Sequence, residues 1–194
     1  YHLSKFGWKD VILLERDQLT SGTTWHAAGL VSQLGPSAAI TKIRKYTLDL
    51  YKELEKKVDH SPGLRLNGAL SIAENKGRWQ ELQRQATTAQ LYDVGVQILN
   101  KDEIKKKYPI VYTDEVLGGI LMPGDGAADP SGVTHMLAKA AKMEGAKIYE
   151  KSPVSEILTK SGRISGVRVN DHVIDCEYIA VSYTHLRAHE TVRN

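Results

Sequence analysis

Four apolar residues closed by an acid, Val11-Ile12-Leu13-Leu14-Glu15, are followed within a few residues by Ser21-Gly22-Thr23-Thr24-Trp25-His26-Ala27-Ala28-Gly29-Leu30. A short apolar run of this kind predicts a buried strand. An acid at its end stands where open α/β sheets present groups to a ligand. Much later, Asp129-Pro130 predicts a helix capped by the acid and begun by proline, running to about 144 and stopped by Gly145. Lys147-Ile148-Tyr149-Glu150 then predicts a second strand. Strand, helix, strand confines the chain to an α/β arrangement.

The remaining pattern extends that arrangement. Residues 1–6 are the last turns of a helix stopped by Gly7. Ile40, Ile43, Tyr46, Leu48, Leu50, Tyr51 and Leu54 recur at helical spacing and predict an amphipathic helix over 38–57. After the Pro62-Gly63 turn come an expected strand at 66–73, a polar helix at 76–93 and a strand at 96–99. A helix at 101–107 capped by Asn100 follows, then a strand at 116–122. Three strands near 154–159, 163–169 and 172–176, parted by Ser161-Gly162 and Asn170-Asp171, predict an antiparallel meander, with a further strand at 177–180. The expected fold class is α/β: a partial Rossmann-like, dinucleotide-binding domain with an antiparallel β-meander, plus part of an inserted α+β substrate domain. The expected division assigns 1–60 and 126–180 to the first and 61–125 to the second.

Composition excludes several functions. A net charge of +3 over 194 residues, with dispersed basic side chains, does not make a nucleic-acid surface. Lys105-Lys106-Lys107 belongs to a solvated helix end. No apolar run approaches a membrane span, and the single Cys176 allows no internal disulfide.

Individual residues then carry chemistry. Glu15, at the end of its strand, is placed to accept hydrogen bonds from ribose hydroxyls, although a lone acid there is more often a solvated terminus. Ser21, Gly22, Thr23 and Thr24 offer small size and hydroxyl donors; as composition alone they are an ordinary capped turn. A single histidine beside a tryptophan is more often a packed residue than a ligand. No second metal-binding residue stands near His26 at ligand spacing. Ala27, Ala28 and Gly29 leave room for a planar ring, and Trp25 supplies an aromatic wall. Asp125 and Asp129, in Pro123-Gly124-Asp125-Gly126-Ala127-Ala128-Asp129-Pro130, have expected roles in a tight turn and a helix cap. Val154 alone is a plain buried β-branched residue.

In order, the acid-ended strand, the Trp25-His26-Ala27-Ala28-Gly29-Leu30 run and the Pro-Gly-Asp-Gly…Asp-Pro run resemble the FAD-dependent sarcosine and dimethylglycine dehydrogenase family, related to D-amino-acid oxidase. The resemblance covers residues 1 to about 180. It implies FAD held by Glu15, Arg16, Ser21, Gly22, Thr23, Thr24, Trp25, His26, Gly29, Leu30 and Val154, with His26 bonded covalently to a ring methyl. The other reading of Val154, a backbone contact to an adenine edge, is what the resemblance to related flavoproteins implies. It implies a small N-methylated amino acid as substrate, an electron-transfer flavoprotein as acceptor, and tetrahydrofolate bound in a further C-terminal domain. Ser32-Gln33-Leu34 and Asn67-Gly68-Ala69-Leu70 lean toward the sarcosine-oxidising branch. The family's compartment would be cytoplasmic in a bacterium and the mitochondrial matrix in a eukaryote. Alternatives within the resemblance are an oxygen-using N-methylamino-acid oxidase and a non-catalytic paralogue similar to the regulatory subunit of pyruvate dehydrogenase phosphatase. Retention of His26 speaks against the paralogue.

Both ends carry expectations as well. A Gly-x-Gly-x-x-Gly phosphate loop is expected upstream of Tyr1, and the groups holding the substrate carboxylate and amine beyond position 180. Residues 181–194 resemble the translation of a sequencing-library adapter, so His185 and His189 are not expected to form a metal pair.

Overall fold

The computed structural model describes residues 1–182. A short helix α1 (His2–Lys5) leads into β1 (Ile12–Leu14), which pairs in parallel with β7 (Lys147–Tyr149). The helix stops where expected: Gly7 takes φ +90°, its N–H donates to Ser4 O, and Trp8 N–H donates to Leu3 O. These two bonds satisfy carbonyls that a helix end leaves open. The helix before β7, α5 (Pro130–Met143), ends in the same motif at Gly145, with Ala146 N–H on Ala141 O. It packs against the long helix α2 (Ala38–Val58), where Leu54, Val58, Met136 and Ala140 form a buried cluster. Ser37 begins α2 by accepting from Ile40 N–H.

A second body of structure is built on β5 (Gly118–Met122), all five residues of which are buried. β3 (Ala69–Ala73) and β4 (Gln97–Leu99) flank it, both antiparallel. Helix α3 (Lys76–Leu91) covers one face through Leu82, Ala86 and Ala89 against Ala73, Ile120 and Met122. Helix α4 (Lys101–Lys107) covers the other through Ile104 against Leu99, Val116 and Leu121. A strand covered on both faces needs apolar residues throughout rather than alternation, and β5 has them. Gly118 lies under the indole of Trp79, whose ring atoms sit 2.7–3.1 Å from where a Cβ would be.

The meander is present as β8 (Val154–Lys160), β9 (Arg163–Val169) and β10 (His172–Asp175), with β9 central. Ser161 (φ 51°) and Gly162 (φ +74°) make the primed turn that suits a tight hairpin. Residues 177–180 do not form the expected strand. Apolar residues alone do not make a strand without a neighbour to accept its backbone bonds. Tyr178 instead meets Trp8 edge-on, with ring centroids 5.4 Å apart. His185 and His189 lie outside the described residues.

Two short strands cross-link the structure. β2 (Leu30–Val31) pairs antiparallel with β6 (Gly126–Ala127), and Arg65 forms a bridge to Ala127. One short stretch, 126–129, thus touches residues 29–31 and 62–65 together: Ala128 N–H donates to Gly29 O, and Asp129 N–H to Pro62 O.

Candidate functional site

The carboxyl ends of β1 and β7 adjoin, and the chain beyond each is tied to the other. Glu15 N–H donates to Tyr149 O, and Glu15 O accepts from Ser152 N–H. The carboxylate of Glu15 accepts the N–H of Asp17 at 3.0 Å, which folds it back over its own turn. Arg16 is exposed, its Nε 3.3 Å from Asp17 Oδ2. Lys151 N–H donates to Asp17 O at 2.7 Å, and Glu150 Oε1 accepts from Leu19 N–H at 2.7 Å. Ser21 Oγ donates to Gln18 O, closing the loop. An open pocket lined by Asp17, Gln18, Ser21 and Lys151 lies at this edge, where ligands of open α/β sheets bind. Val154 opens β8 three residues past Lys151, paired with Val169.

The Trp-His pair lies on a single 3₁₀ turn, Thr24–His26, packed against α5. His26 N–H donates to Thr23 O and Ala27 N–H to Thr24 O. Trp25 is 61% exposed and its ring lies 3.7 Å from the His26 imidazole, tilted by 31°. Ala27 and Ala28 are exposed too, and Leu30 is 80% exposed. The outcome is an open strip with an aromatic face, small residues and a large aliphatic side chain.

The glycines separate protein demands from others. Gly29 has φ +71°, and a Cβ there would stand 2.3 Å from Ala128 O, so the β2–β6 crossing itself requires glycine. A Cβ at Gly22 would meet nothing within 4 Å. No neighbour in the fold demands glycine at 22, and the space beside it is free for a bulky group.

Asp129 is the expected helix cap, accepting from Ser131 and Gly132 N–H. Asp125 is in the expected turn but does more. Only 3% exposed, it accepts Gln33 N–H on Oδ1 at 2.9 Å, and its backbone O accepts from Gly68 N–H. Burial pushes its carboxyl above the ordinary range, against the opposing pull of Gln33 N–H and the Arg44 guanidinium. Arg44 on α2 donates to Ser32 Oγ and to Leu34 O, and Thr41 Oγ1 accepts Gly35 N–H at 3.0 Å. Sequence reasoning missed Arg44, Thr41 and Gln33, because helical periodicity says which face is buried and not which loop it meets.

Among the described residues no group of three or more His, Cys, Asp or Glu is placed to hold a metal ion. No described helix is long and apolar enough to cross a membrane. The surface does fit FAD: an acid at a parallel strand end, a glycine facing free space, and an exposed aromatic and small-residue strip beyond it.

Comparison with known proteins agrees. The family model for FAD-dependent oxidoreductases, DAO type, matches residues 1–182. The chain is 40% identical over 158 residues to mitochondrial sarcosine dehydrogenase of Homo sapiens, covering 81% of this chain and 17% of that protein. It is 30% identical over 178 residues to the mitochondrial pyruvate dehydrogenase phosphatase regulatory subunit of Mus musculus, covering 92% of this chain and 20% of that one. The chain therefore spans about a fifth of the length of these curated relatives. The solved structure of L-proline dehydrogenase from P. horikoshii superposes over the whole chain and 52% of its own, with a TM-score of 0.86 at 23% identity. That likeness bears out the expected fold class, a partial Rossmann-like FAD-binding domain.

Proposed function

The chain belongs to the family of FAD-dependent oxidoreductases, and from that premise we propose that it supplies the FAD-holding part of an enzyme oxidising the N-methyl group of sarcosine or dimethylglycine. Residues 1–60 and 126–180 hold the cofactor, and 61–125 are part of the substrate domain. The observation that carries the reading is the exposed Trp25-His26 strip, set on a 3₁₀ turn that follows an acid-ended parallel strand. When bound, FAD would supply the acceptor for a hydride from the N-methyl carbon, and hydrolysis of the resulting iminium would give formaldehyde and the demethylated amine.

The protein's own residues bind and orient. Glu15 takes ribose hydroxyls at the strand end, with Arg16 beside it and Val154 at the adenine edge. Ser21 to Thr24 line the path of the phosphates and ribityl chain, where Gly22 leaves room. Trp25 and Leu30 cover apolar ring surface, and Gly29 fixes the direction of the chain between them. His26 would hold the flavin covalently through its imidazole, a ring-methyl C–H giving up its proton and the electron pair passing into the ring. An electron-transfer flavoprotein as acceptor, tetrahydrofolate in a further domain and a mitochondrial or bacterial cytoplasmic location belong to the same reading. The sequence likeness to the phosphatase regulatory subunit supports a second one, an interaction module without amine oxidation.

The test uses the protein at full length, acid-precipitated and run on a denaturing gel under ultraviolet light. The wild type is expected to keep a fluorescent flavin band, and His26→Ala to lose it while retaining dissociable FAD. Complete wash-out from the wild type overturns covalent attachment. Failure of sarcosine and dimethylglycine to reduce a dye in the flavin-loaded protein favours the second reading.

A further inference from the structure

Residues 32–35, directly after β2, are held by side chains from two remote elements. Gln33 N–H is bound by Asp125, Gly35 N–H by Thr41, and Ser32 Oγ and Leu34 O by Arg44. Asp125 immediately precedes β6, the partner of β2, so its carboxylate continues the β2–β6 pairing one step beyond the strands. At the other end of β2, Ala128 N–H binds Gly29 O. β2 is thereby fixed at both ends, and with it the chain direction of the exposed strip that ends at Leu30. Thr41 is 1% exposed and Asp125 3%, so water has little access to the side chains that accept from Gly35 and Gln33.

Within this loop Leu34 packs against the buried cluster of Ala73, Leu82 and Ile120. Gln33 and Arg44 belong to none of the buried apolar clusters. The bonds bear on one loop, and that loop leads out of the strip assigned to the flavin ring.

We infer that Asp125, together with Arg44, is a positioning residue for the flavin: it clamps 32–35 so that Trp25 to Leu30 present one fixed surface to the ring. The inference rests on the FAD reading above. Asp125 does not touch the reacting atoms; it acts through Gln33 N–H. The acceptor oxygen, rather than the charge, is what that bond requires, so asparagine in its place serves where alanine does not.

The experiment compares full-length wild type, Asp125→Asn and Asp125→Ala for flavin content, visible circular dichroism of the flavin and hydrogen exchange in the peptide covering 30–36. Asp125→Ala is expected to speed exchange of that peptide about tenfold, the loss of one bond to a buried carboxylate. It is also expected to alter the flavin dichroism and lower covalent incorporation severalfold. Asp125→Asn is expected to restore all three. If Asp125→Ala does not fold, Arg44→Met carries the same expectation for exchange and dichroism. Unchanged dichroism in a variant whose 30–36 exchange has risen overturns the inference, as does an Asn variant as impaired as the Ala variant. A wild type that binds no flavin fails the FAD reading instead, and the exchange data still report on the clamp.

Discussion

Gly29 and Gly22 stand seven residues apart and are glycines for opposite reasons. At Gly29 the backbone has positive φ and Ala128 O occupies the Cβ position; at Gly22 there is free space. Gly29→Ala is expected to destabilise by about 1–2 kcal/mol from the left-handed backbone alone, with the carbonyl clash added, and thermal unfolding of the full-length protein reads the loss. Gly22→Ala should leave the flavin-free protein's unfolding midpoint unchanged. Sequence order identified both as members of one small-residue run, but the residue type does not say whether a neighbouring carbonyl stands at the Cβ position or open space does. Likewise, Asp125 and Asp129 look alike in a turn-rich motif. Only the fold shows that one caps α5 while the other reaches Gln33 across the molecule.

Among the elements, those with local end signals were legible. α4 and α5 begin at the expected caps Asn100 and Asp129, while α2, read from its apolar spacing, begins at Ser37; each cap accepts from a backbone N–H in the first turn. Asn100 with Glu103 completes a reciprocal capping pair. β2 and β6 were not legible, because two residues carry no periodicity and exist only through each other. The strand expected at 177–180 failed for the converse reason: it has apolar residues, but no strand pairs with it among the described residues. In α3, Glu81 accepts both a 2.8 Å bond from Arg84 Nε and a 2.7 Å bond from Arg84 Nη2, with Gln85 adding a third. Arg84 and Gln85 hold the Glu81 carboxyl down to about 2, against 4.5 for the free group. A depressed carboxylate stabilises the fold above its unfolded pKa and loses that contribution as pH falls through the folded one. Stability is therefore expected to decline between pH 4.5 and 2, and Glu81→Gln to flatten that slope in denaturant titrations. An equal slope in the variant would place the acid sensitivity elsewhere.

Over the whole molecule, α2 and α5 form the seam between the parallel strands and the long-range crossing. Leu54 is fully buried there, packed with Val58 and Met136. Leu54→Ala is expected to cost about 2–5 kcal/mol, the usual range for an emptied leucine site in a core, measured by denaturant unfolding. A loss within the range of surface substitutions would mean that α2 repacks freely. The parallel arrangement was legible because the strand and helix signals alternate. The exposed flank of β1 was not: Ile12 and Leu13 read as core, yet both are open to solvent among the described residues. Parallel strands ordinarily bury both faces, whereas the two-stranded β1–β7 pairing leaves this one open among the described residues.

The meeting of residues 29–31 with 126–128 has a temporal side. While the protein is being made, Trp25 and His26 leave the ribosome well before Gly126 and Ala127, and β2 waits for that β6 partner. β1 waits longer still, for 147–149. Contacts so distant along the chain form late, so the strip from Trp25 to Leu30 settles only after the segments that β1 and β2 pair with have emerged.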